Sequence, residues 1–158
     1  MSTSLPKFLT SGVASEAIRR VALPLFEGDD ILMKRRMAHI VVLVPRLQNG
    51  CILPYLLYEH SIGDIGSNPF DEIARNKALQ LWEGRNDGRT DIAPHLLYPG
   101  DTPFWGGVKR HGFVVACSGV ESWFDQMIAG MVADAIVALA YQAWMNSPDR
   151  ASHVYFLT

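Results

Sequence analysis

Residues 116–126 read A-C-S-G-V-E-S-W-F-D-Q, and four side chains able to do chemistry fall there: Cys117, Ser118, Glu121 and Asp125. A serine nucleophile on a strand-to-helix elbow takes the form G-x-S-x-G, whose small flanks let the backbone bend sharply. Here the flanks are Ala116 and Val120, and the five scattered histidines suggest no triad order. Cys117 alternates with Val115 along an apolar run, without an identifiable partner to hold a thiolate, which reads as core packing. Ser122 and Asp125 have the S-x-x-D spacing of a capping-box variant, and Glu121 adds negative charge where a helix start favours it. The stretch reads as a helix start or a ligand-binding elbow rather than a nucleophile on a turn, with a proton-carrying Asp125 as the alternative.

Three other features could meet a ligand. Gly106-Gly107 allows a bulge or sharp turn, or lets a ligand approach backbone N–H donors, with Phe104 and Trp105 as an aromatic wall. No P-loop consensus accompanies the pair, so a nucleotide phosphate is not specifically implied. Lys77 falls on or beside the apolar stripe of a helix, where it either snorkels or points a cation at an anionic ligand in a cleft. His39, His60, His95, His111 and His153 lack the paired spacing of a metal site.

The totals bound the protein class. The 158 residues carry a net charge of −2, with 49% apolar and 19% charged residues, an ordinary globular composition for one domain. Nucleic acid demands a basic face, and K-R-R at 34–36 is too short to make one. Cys51 and Cys117 sit in apolar runs, as small buried hydrophobes rather than halves of a disulfide. The first ten residues lack the apolar centre of a signal peptide, and the apolar tract near 127–144 is interrupted by Asp134 and Gln142, making a poor membrane span. The expectation is a cytoplasmic protein with no nucleic-acid or membrane partner.

The elements that must position these residues are legible. Helical spacing of Ala17, Ile18, Val21 and Leu25 predicts a first helix over 15–28, which Pro24 kinks or ends early. The following D-D-I-L-M-K-R-R either extends it or leads to the sheet. Residues 38–47 read as a β-branched strand, Asn49-Gly50 as a hairpin turn, and 51–60 as the returning strand, placed at an edge or bulged by Pro54. A second helix is expected at 69–83, with Asn68 as N-cap, Pro69 at the first position and Gly84 as its stop. Residues 84–103 read as a long loop with a helical turn near 91–98. Two strands then follow, turning at or near K-R-H-G, before a final helix over 122–145 that is apolar almost all round. Such a helix wants cover on two sides, which predicts a homo-oligomer. The order of elements predicts an α+β fold, an antiparallel sheet backed by helices.

Taken together, A-R-N-K-A-L at 74–79 and W-G-G-V-K-R-H-G-F-V-V-A-C-S-G-V-E-S-W-F-D at 105–125 resemble the GlcG/HbpS-like family, a haem-binding or haem-degrading domain. The likeness covers roughly 38–140 and rests on the order and spacing of Lys77-Ala78, Gly106-Gly107, Ser118-Gly119 and Asp125. Departures include V-P-R-L-Q-N-G-C-I-L in the hairpin and Lys109 where Pro-Ile is common. The resemblance implies a profilin-like sheet, oligomerisation, and a small-ligand pocket between the second helix, the Gly-Gly segment and the last helix. Such a pocket would use Lys77, Trp105, Gly106, Gly107, His111, Ser118, Gly119 and Asp125 to hold haem or a small organic anion. An enzyme acting on haem or an organic acid, through Asp125 or His111, and a partner-binding scaffold are the alternatives.

Overall fold

A computed structural model describes residues 3–86, 95 and 97–151. The fold is α+β: a five-stranded antiparallel sheet lies between one helix on one face and two helical segments on the other. The strands are β1 (Thr3–Ser4), β2 (Ala38–Gln48), β3 (Cys51–Ile62), β4 (Gly107–Arg110) and β5 (Phe113–Ser118). The helices are α1 (Ser11–Ala17), α2 (Phe70–Trp82) and α3 (Ser122–Met145). β2 pairs with β3 on one side and β5 on the other, β1 joins the far end of β2, and β4 follows β5.

Strand alternation divides the core in two. Ile40, Val42 and Val44 of β2, with Val115 and Cys117 of β5, face α1 and α3, while Val41, Leu43, Val114 and Ala116 face α2. Both faces of β5, and of β2 as far as Pro45, are buried, so these stretches read as near-continuous apolar runs.

Both hairpins turn through two residues of positive φ, Asn49-Gly50 (52° and 78°) and His111-Gly112 (47° and 84°), the signature of a tight primed turn. Pro54 lies opposite Pro45, and among the described residues β3 pairs only with β2, so its missing donor sits at an edge. The register slips at Val42/Leu43, leaving Leu57 as the extra residue of a bulge.

The first helix departs from expectation. It begins at Ser11, because the Thr10 hydroxyl accepts from the Val13 N–H at 3.1 Å. It continues as a π turn over Ile18–Ala22 and tightens to 3₁₀ at Leu23–Phe26 around Pro24, after which residues 27–37 are not helical. Asn68 does not cap α2; its side-chain amide donates to the Ile65 carbonyl, while Ile73 N–H bonds to Pro69 O. Cys51 is exposed beside its turn, contrary to the buried reading, whereas Cys117 is buried, and both are free thiols. Most of the expected 91–98 turn, and the tail beyond Ala151, lie outside the described residues. α3 runs over 122–145 as expected; by length and hydropathy it could span a membrane, but one face of it is part of the core.

Candidate functional site

α2 and α3 lie on opposite faces of the sheet, and a buried ion pair joins them around its end. Lys77 Nζ donates to Asp125 Oδ2 at 3.0 Å and to the Cys117 carbonyl at 2.8 Å. Asp125 Oδ1 accepts from the Val120 N–H at 3.2 Å. Both charged residues are nearly sealed, with Lys77 1% and Asp125 2% exposed.

The passage between the layers exists because Gly106 has no side chain. A Cβ there would lie 2.5 Å from Asp125 Cβ and 3.1 Å from Lys77 Nζ, and its φ of +132° suits glycine. Gly107 is equally enclosed, against Leu81 and β5. Gly119 lets β5 turn past the start of β2: a Cβ would meet Ala38 Cα and Met37 O, both at 2.7 Å.

The capping-box reading of Ser122 and Asp125 is overturned. Glu121 occupies the N-cap position and makes no side-chain cap bond. Asp125 turns inward because the buried Lys77 ammonium needs a counter-charge. Burial pushes its carboxyl up to about 6, against the opposing pull of Lys77 and the Val120 N–H. Burial, with the nearby Asp125 charge, also drives the Cys117 thiol well above its ordinary value, which denies it nucleophilic character.

Six of the eight residues singled out from sequence therefore meet at this end of the sheet: Lys77, Gly106, Gly107, Ser118, Gly119 and Asp125. Ser118 is buried opposite His39, and Trp105 is half-buried beside Gly106. The pair of charges at their centre is internally satisfied, so the cluster works as a latch between layers. His111 is elsewhere, at the far end of β4. It lines an apolar cavity of about 360 Å³ formed by Phe8, Phe113, Tyr141 and Trp144 among others. Of the other histidines, His39 is buried against Ser61 Oγ at 2.7 Å, His60 stacks on Tyr58, and His153 lies outside the described residues. No cluster of metal-ligating side chains occurs among the described residues.

A second cavity, about 410 Å³, adjoins the latch. Leu81 and Gly84 at the end of α2, with Asn86, form one wall; Gln126 of α3 forms another. Between them lie four successive residues of β4, Gly107 to Arg110. Successive side chains alternate between faces, so a cavity touching all four meets the strand edge-on. Lys109 brings an ammonium, 3.4 Å from the Trp82 carbonyl and over the Trp82 ring, without a carboxylate partner among the described residues. Arg110 brings a guanidinium, paired to the exposed Asp134 at 3.3 Å. Lys109, Arg110 and Gln126 are the residues sequence reasoning missed. The Lys109-Arg110 pair beside Gly-Gly was a visible signal; Gln126 gave none, because its approach to β4 depends on how α3 packs.

No protein-family model, curated protein or solved structure matches the chain.

Proposed function

We propose that this chain is a small-organic-anion-binding module that self-associates through the outward face of α3. The observation that carries the first part is the cavity on the β4 edge, where Lys109 presents a cation without a carboxylate partner among the described residues. It lies between α2, the Gly-Gly segment and the start of α3, the region in which the family resemblance implies a ligand. The attracting cation is Lys109, with Arg110 beside it, because Lys77 is consumed by Asp125. Haem is a poorer fit here: the described lining contains no His, Cys, Met or Tyr to ligate iron. Asp125 has the perturbed carboxyl of a proton carrier, but it is sealed from the cavity and committed to Lys77 and Val120. A binding role is therefore preferred to catalysis.

Calorimetric titration of the full chain with lactate should give saturable binding that weakens as salt rises. Lys109→Met should lower the affinity about tenfold or more, since a charge-assisted hydrogen bond is worth about 1.5–3 kcal/mol. Absence of lactate binding at tens of millimolar, or binding indifferent to Lys109→Met, would overturn the assignment.

Self-association is supported by the side of α3 that the core leaves uncovered. Trp123 and Tyr141 are each 61% exposed and Met131 is 37% exposed, all on this one helix. Covering such a face removes apolar area from water, which stabilises by about 25 cal/mol per Å². Light scattering is expected to report at least twice the chain mass of 17.6 kDa, and Tyr141→Glu to lower that value. A monomeric mass at micromolar concentration would end the oligomer reading.

A further inference from the structure

β4 is an edge strand, since among the described residues it pairs only with β5. The hairpin fixes which of its backbone groups point outward. Arg110 and Phe113 flank the two-residue turn His111-Gly112, so they exchange both backbone hydrogen bonds, and the pairing alternates from there. Val108 and Val115 exchange bonds again, and the Cys117 N–H donates to the Gly106 carbonyl at 3.1 Å, in step with that alternation. Gly107 and Lys109 fall between these pairs, so their N–H and C=O groups point away from β5 along the free edge. The cavity beside the latch lies on that edge. Gly107 lines it and has only backbone atoms with which to do so. The two cations flank the edge from opposite faces: Lys109 reaches over the Trp82 ring of α2, and Arg110 reaches Asp134 of α3. A molecule seated here meets positive charge and outward-pointing backbone donors and acceptors in one space.

We infer that the ligand is an N-acylated amino acid, a carboxylate one carbon away from a peptide-type amide, which adds to β4 as one residue of an extra strand. The inference rests on the anion-binding reading above. A residue joined to an antiparallel edge exchanges two hydrogen bonds with a single partner residue. With Lys109 as that partner, the ligand's amide N–H donates to the Lys109 carbonyl, and its carboxylate accepts from the Lys109 backbone N–H. The carboxylate then lies on the edge that the Lys109 ammonium and the Arg110 guanidinium flank, where its charge is matched. A plain carboxylate such as propionate meets the donor but leaves the Lys109 carbonyl without a partner, one bond fewer. The walls also limit size: about 410 Å³ is near the lower end of the range for small-molecule sites, which favours one acylated residue over a longer peptide.

The test compares N-acetylglycine with acetoxyacetate, which replaces the amide N–H by an ester oxygen and keeps shape and charge. By calorimetry the full chain should bind N-acetylglycine about tenfold more tightly, because the ester sets an acceptor against the Lys109 carbonyl. Lys109→Met keeps the backbone and should weaken both acids alike, by about tenfold, leaving the preference between them intact. Amide hydrogen exchange provides the second readout. With N-acetylglycine at about ten times its Kd, the Lys109 N–H should exchange roughly tenfold more slowly, while those of Val108 and Arg110, which point to β5, change little. Equal binding of the two acids, or a Lys109 N–H whose exchange does not respond, would overturn the edge pairing and leave the anion site standing. Lactate binding without binding of either of these acids would do the same. A preference that disappears in Lys109→Met would overturn the role of the backbone. Failure of all three acids to bind would overturn the anion site itself.

Discussion

Lys77→Met is expected to destabilise the protein by about 3–5 kcal/mol at pH 8, because it strands a buried carboxylate. The Asp125 carboxyl would keep the Val120 N–H but lose the ammonium 3.0 Å away, inside a region sealed from water. The effect should depend on pH in a defined direction. Burial already raises the Asp125 carboxyl from 3.8 to about 6, and removing the cation raises it further. The folded state then holds the proton more tightly than the unfolded state. Stability is fully present below about pH 4 and falls as pH rises through the folded-state value. The deficit of Lys77→Met should therefore be smaller at pH 5 than at pH 8. Adding Asp125→Asn should recover much of the loss at pH 8, since the amide is uncharged and can still accept from Val120. Urea unfolding of wild type, the single variant and the double variant at both pH values measures this. A single variant within 1 kcal/mol of wild type at pH 8, or a double variant no better than the single, would show that the latch is not what joins the layers.

Gly119→Ala should be the next most damaging change, at roughly 2–5 kcal/mol, combining overpacking with strained backbone. The added methyl would sit 2.7 Å from both Ala38 Cα and Met37 O, and these are backbone atoms that no rotamer change can move away. The φ of +143° adds a conformation that alanine adopts poorly. Relief would require β2 to part from β5 at the His39–Ser118 pair, where the two strands begin to register. Thermal and urea unfolding should both show the loss. Gly28→Ala serves as the control, because it also has positive φ, at +84°, but has nothing within 4 Å of its added carbon. Equal cost at the two positions would attribute the effect to φ alone and refute the close approach of β2.

The sequence by itself determined the local pieces. Apolar alternation and Asn49-Gly50 defined the first hairpin, the spacing of Ala74, Lys77, Ala78 and Leu81 defined the inward face of α2, and the bounds of α3 followed from its apolar run. Each depends on residues within a few positions of one another, so local propensity and periodicity suffice. It also marked Lys77, Gly106, Gly119 and Asp125 as unusual, but not what they do. Lys77 and Asp125 are 48 residues apart and bond only because α2 and α3 back opposite faces of one sheet that ends at Gly106. That long-range contact turned an apparent capping aspartate inward and an apparent ligand lysine into its counter-ion. The same packing left Lys109 and Gln126 lining one cavity on the β4 edge. Neither residue belongs to a local motif, so only the tertiary structure, which fixes the distance between a strand edge and a helix, could bring them together.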